Sequence, residues 1–148
     1  MSKKSRGVVQ ILFAIYCAVM LWLLFARSGS GIRGVSFVPF ATIKEFWTVM
    51  MQSCGMEGME TLFMLSFVNL AGNVVMFIPL GFFLPLLWRR LRRWWRSLAV
   101  CGALIVAVEA LQFLTARGSA DIDDFILNML GAALGYAAFA LIKGRLER

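Results

Sequence analysis

The sequence predicts an all-α membrane protein, a bundle of four transmembrane helices with both termini in the cytoplasm. Three observations predict it. Of the 148 residues, 61% are hydrophobic and only 16% are charged, whereas a soluble domain is about half apolar and a quarter charged. Four stretches reach the ~20 mainly apolar residues that a helix needs to cross a bilayer. Eleven of the fifteen Lys and Arg residues fall in three alternate segments of the chain, the bias that marks cytoplasmic connections.

The first span, about 7–26, carries no charge and is closed by Arg6 and Arg27; it is too long for a signal peptide and lacks a small-residue cleavage site. The second, about 61–88, contains Pro79 and Pro85. The third, about 97–115, holds a single charge, Glu109. The fourth, about 125–142, ends at Lys143. Together they predict a single domain over 1–148, since half of this length would bury too small a core.

The basic residues set the orientation. Lys3, Lys4 and Arg6 precede the first span, Arg89, Arg90, Arg92, Arg93 and Arg96 follow the second, and Lys143, Arg145 and Arg148 follow the fourth. The opposite side carries Arg27, Arg33, Lys44 and Arg117 against Glu45, Glu57, Glu60, Asp121, Asp123 and Asp124. The net charge of +7 therefore reflects topology. Trp88, Trp94 and Trp95 beside the arginines suit an interfacial turn facing anionic headgroups, so nucleic acid is not an expected partner; membrane lipid is.

In the long outer loop, Thr42-Ile43-Lys44-Glu45 has the spacing of a capping box. Phe40, Ile43, Trp47, Met50 and Met51 follow at helical spacing. They predict a short amphipathic helix, lying on the outer leaflet or packed on the bundle.

Other chemistries are excluded by what is missing. There is no histidine, which removes Ser-His-Asp and Cys-His catalysis and the main zinc ligand. Cys17, Cys54 and Cys101 are widely separated and read as packing residues. No catalytic set, metal site or cofactor motif is assigned.

Polar groups at membrane depth are costly and need a partner or a role. Asn69 and Asn73 share one face of the second span, Glu109 and Gln112 one face of the third, and Asp124, Asn128, Gly131 and Gly135 one face of the fourth. Gly131 and Gly135 form a G-x-x-x-G pair that permits close helix approach. With a rise of about 1.5 Å per residue, all the polar side chains fall in the outer half of the bilayer, with Arg117, Asp121 and Asp123 just above. Pro79 removes a helical hydrogen bond from the Val75 carbonyl; with Gly81 it either opens a cavity beneath Asn73 or only bends the helix. The polar set is thus either interhelical glue or an outward-facing pocket formed by Asn69, Asn73, Glu109, Gln112, Arg117, Asp121, Asp124 and Asn128.

These residues carry a family resemblance. Asn69-Leu70-Ala71-Gly72-Asn73 with Phe77-Ile78-Pro79-Leu80-Gly81-Phe82, then Glu109-Ala110-Leu111-Gln112, then Arg117, Asp121-Ile122-Asp123-Asp124, Asn128 and Gly131 resemble the VanZ-like family of small integral membrane proteins. Val38-Pro39-Phe40 fits the same pattern. The resemblance implies low-level protection against teicoplanin-type lipoglycopeptides. It leaves two functions: a non-enzymatic binder of the acyl-tailed drug or of a lipid-linked peptidoglycan precursor, or a membrane enzyme acting on a lipid or wall-precursor headgroup through its Glu/Asp cluster. In the second, Glu109 or Asp124 is the base, or with Asp121 a divalent-metal ligand.

Overall fold

The computed structural model describes residues 3–26, 35–36, 40–52, 59–115 and 120–146. It contains five α-helices, α1 (Lys3–Ala26), α2 (Ala41–Gln52), α3 (Met59–Leu87), α4 (Trp94–Leu114) and α5 (Ile122–Leu146). A 3-10 turn, Arg89–Arg92, joins α3 to α4. Two short strands, β1 (Val35–Ser36) and β2 (Ala120–Asp121), pair in parallel, Val35 opposite Ala120 and Ser36 opposite Asp121.

Four helices, α1, α3, α4 and α5, are long and apolar enough to cross a membrane. Their ends differ from the expected spans for local reasons. α4 starts at Trp94 because Arg93 is extended and its carbonyl accepts from the Arg96 and Ser97 amides. α5 starts at Ile122 because the Asp121 carboxylate caps the Asp123 amide at 3.0 Å, an N-cap contact. Asp123 and Asp124 therefore lie in the first turn of a helix rather than in a loop, where negative charge meets the positive end of the helix dipole.

The central pair is α3 with α5. Three glycines bring their backbones together: a methyl group at Gly81 would strike the Ala132 carbonyl, one at Gly131 the Val74 carbonyl, and one at Gly135 the Ile78 carbonyl. Of the two readings of Pro79, an opened cavity or a bend alone, the Gly131 contact with Val74 leaves no room between the two backbones just below Asn73. α3 remains one helix through Pro79 and Pro85, and directly below Asn73 it is closed against α5. A proline is tolerated in a spanning helix when its neighbours hold the backbone in place.

The core gathers Phe77, Leu80 and Leu84 of α3, Cys101, Ile105 and Val108 of α4, Ala132 of α5 and Met20 of α1. Cys101 is a fully buried free thiol and Cys17 a half-buried one, in keeping with packing roles; Cys54 lies outside the described residues. α1 runs antiparallel to α3 and is held by Tyr16, whose hydroxyl donates to the Met76 carbonyl at 2.8 Å. Phe13 meets Phe83 and Trp88 nearby. At the same end of the bundle, the Tyr136 hydroxyl of α5 donates to the Arg92 carbonyl at 2.7 Å. The start of α1, the arginine turn and the second half of α5 thus gather at one end.

Large apolar side chains point outward along every spanning helix, among them Ile11, Trp22, Val75, Leu114 and Leu141, the last 84% exposed. Such a surface is far beyond what water tolerates and is the natural face for lipid.

Candidate functional site

Four of the eight residues expected to form the polar pocket meet at the end of the bundle opposite the arginine turn. The Asn73 side-chain amide on α3 donates to Asp124 Oδ1 on α5 at 2.5 Å. One turn further along α5, the Asn128 amide donates to Glu109 Oε1 on α4 at 3.3 Å. Helical spacing explains the pattern: Asp124 and Asn128, four residues apart, are near neighbours on α5, one turned to α3 and the other to α4. An ionised carboxylate at this depth needs such donors.

The other predicted members lie around this chain of contacts. Asn69 is half-buried one turn from Asn73 and joins neither bond. Gln112 is half-buried one turn from Glu109. Asp121 is drawn into capping α5. Arg117 lies outside the described residues. Of the residues given a structural role, Gly131 and Gly135 lie on the α3–α5 seam together with Gly81, which was expected at a kink, and Pro79 lies within α3.

Asp123 was not among the expected site residues, yet its side chain has no exposure at all. Its Oδ1 accepts the Phe40 amide at 2.6 Å. Phe40 sits at φ 65°, a left-handed conformation that costs a bulky residue roughly 1–2 kcal/mol. Its carbonyl accepts the first helical bond of α2, from the Lys44 amide. The carboxylate thus pins the start of α2 while β1 pairs with β2 beside it. Three acids crowd the stretch Asp121-Ile122-Asp123-Asp124, but no sequence signal says which one turns inward.

The pairing also sets depth. Asp124 is in the first turn of α5, yet it meets Asn73, fourteen residues into α3. At about 1.5 Å per residue, roughly 20 Å of α3 precedes Asn73. Asp124, at the start of its own helix, is therefore within side-chain reach of a residue well inside α3. α2 leans on this part of α3, with Phe46 stacked on Phe63 at 5.4 Å and near Phe67. Phe40, Trp47 and Met51 stay exposed on its other face. The side chains of Thr42 and Glu45, the expected capping box, lie outside the described residues.

Asn128 is only 3% exposed, and its Oδ1 has no donor in the structure. No three acidic or cysteine side chains converge as a metal site among the described residues. The site is therefore a ladder of amides and carboxylates across three helices, open in part, with one buried acceptor unmet.

The model of the VanZ/LLP1 family matches residues 13–143. Protein VanZ of Enterococcus faecium is 32% identical over 145 residues, covering 93% of this chain and 74% of that protein. No solved structure matches. The matched region runs from within the first spanning helix nearly to the end of the last and takes in every residue of the polar ladder, so the chain belongs to the VanZ/LLP1 family.

Proposed function

We propose that this VanZ-like multi-pass membrane protein acts as one domain, with both termini cytoplasmic, and lowers susceptibility to teicoplanin-type lipoglycopeptides. It does so by engaging the drug or a lipid-linked cell-wall component through a polar site facing the extracytoplasmic side. The observation that carries the reading is the interhelical pairing of Asn73 with Asp124 and of Asn128 with Glu109. Glue alone would satisfy its own polar atoms, and this set leaves the buried Asn128 Oδ1 without a donor. The side is argued from charge: the ladder lies at the end of the bundle away from Arg89–Arg96, and arginine-rich turns stay in the cytoplasm.

The test is expression of the wild type and Glu109→Ala in a susceptible Gram-positive host at matched membrane abundance. Teicoplanin protection that exceeds vancomycin protection, and that Glu109→Ala loses, is the expected outcome. Equal protection against both drugs, or none, sinks the reading, because vancomycin lacks the acyl tail. The enzymatic reading rests on Glu109 and Asp124 flanking Asn128 as two carboxyls; it requires an altered lipid or wall-precursor profile in expressing cells that Glu109→Gln abolishes.

A further inference from the structure

Among the described residues, α2 keeps an apolar face that no other part of the chain covers. Phe46 stacks on Phe63 and lies near Phe67, and Met50, one turn on, is half-buried like it. Trp47 and Met51 each follow one of these by a single residue. At 3.6 residues per turn, that swings them roughly 100° round the helix from the face on α3. Both are exposed, as is Phe40 at the start of the helix. Lys44 and Thr48, also exposed, border this face on the side away from Phe46 and Met50. The helix thus has three sectors: one against protein, one apolar and open, and one polar.

Level in the bundle decides what meets the open sector. Phe63 and Phe67 stand on either side of Ser66, where the apolar span of α3 begins, so α2 joins α3 at the edge of its membrane-crossing length. Phe67 stays exposed even while it meets Phe46, and Met64 and Val68 beside it are exposed too. The joint therefore stands in the same apolar surface that the spanning helices turn to lipid. Tryptophan concentrates at this level of a bilayer. A helix with separate apolar and polar sectors seats the apolar one at the boundary between headgroups and acyl chains.

We infer that α2 is a lipid-contacting helix. Its Phe40, Trp47 and Met51 face rests among the upper acyl chains of the leaflet at the end opposite the arginine turn, with Lys44 and Thr48 toward the headgroups. The Asp123 bond to the Phe40 amide fixes where that seat begins, one residue from the Asp124 that pairs with Asn73. The bundle so holds α2 at its start through α5 and along its length through α3. The inference is separate from the drug reading and holds whichever side of the membrane this end faces.

The experiment uses the full chain with Trp22→Phe, Trp88→Phe, Trp94→Phe and Trp95→Phe, which leaves Trp47 as the one tryptophan of five. It is reconstituted in vesicles of phosphatidylcholine and phosphatidylglycerol. Part of the phosphatidylcholine carries bromine either high or low on its acyl chains, and acrylamide is added from the water. Blue-shifted emission, shielding from acrylamide, and quenching stronger from the high bromines than from the low ones are expected. Quenching by acrylamide as strong as for free tryptophan, with none from bromine, overturns the inference. So does shielding from both quenchers, which would show the face covered by protein, such as a second copy. Stronger quenching from the low bromines overturns the placement at the boundary.

A second measurement needs no tryptophan replaced other than Trp47 itself. In a cysteine-free background, Trp47→Cys, Thr48→Cys and Met51→Cys are spin-labelled in the same vesicles. Labels at 47 and 51 should collide more with dissolved oxygen and less with a water-soluble nickel chelate than the label at 48. Equal accessibility at all three positions sinks the seat. Each protein is first checked for wild-type helical content. Teicoplanin protection, or its absence, leaves these outcomes unchanged, so the lipid seat and the functional reading fail separately.

Discussion

Asp123 has no contact with solvent, and a buried carboxylate is expensive unless donors meet it. Here the donor is the Phe40 amide at the start of α2, so one side chain of α5 fixes both the strained φ of Phe40 and the origin of a separate helix. Asp123→Ala leaves that amide without its acceptor at a cost of about 1–3 kcal/mol. Hydrogen exchange should then quicken across residues 41–52 before the spanning helices are affected. Asp123→Asn keeps an acceptor oxygen and should lose less. If α2 exchanges identically in wild type and Asp123→Ala, the carboxylate does not hold the helix. The neighbouring Asp124, by contrast, faces Asn73, so two adjacent acids serve different ends because successive helix positions point about 100° apart.

At the scale of the element, the α3–α5 seam is decided by three glycines rather than by side-chain packing. Gly81, Gly131 and Gly135 each face a carbonyl of the opposite helix, whereas Gly72, also on α3, faces open space. Backbone cannot yield to a new methyl group as a flexible side chain can. Gly81→Ala, Gly131→Ala and Gly135→Ala should each force the helices apart and cost about 1–3 kcal/mol or more, read as a lower thermal midpoint in detergent. Gly72→Ala should be neutral or slightly stabilising, since alanine is the better helix former. Equal losses at all four positions would show that the seam is not the cause. The separation of helices would also be felt at the ladder, because Gly131 is three residues from Asn128 on α5.

For the whole molecule, the arrangement divides charge between two ends. One end gathers the arginine turn and Tyr136; the other gathers the ladder, α2 and the paired strands. The proposed orientation puts the second end outside the cell. In a cysteine-free background, Thr115→Cys at the exposed end of α4 should react with a membrane-impermeant maleimide in intact cells. Arg90→Cys, exposed in the turn, should react only after permeabilisation. The opposite pattern would invert the protein and place the ladder on the cytoplasmic side.

The sequence by itself determined the class and the four long apolar helices, because these follow from local quantities: apolar run length and residue spacing. Asn73, Glu109, Asp124 and Asn128 were legible as helix faces. Which face meets which was not, since a hydrogen bond between α3 and α5 depends on how far one helix slides along the other. That slide, set by glycine contacts at Val74, Ile78 and Ala132, put Asp124 within reach of Asn73 and brought the two backbones together beneath it. The burial of Asp123 and the pairing of Ser36 with Asp121 were likewise decided only in three dimensions. They join segments more than eighty residues apart, and no periodicity within either segment encodes the other.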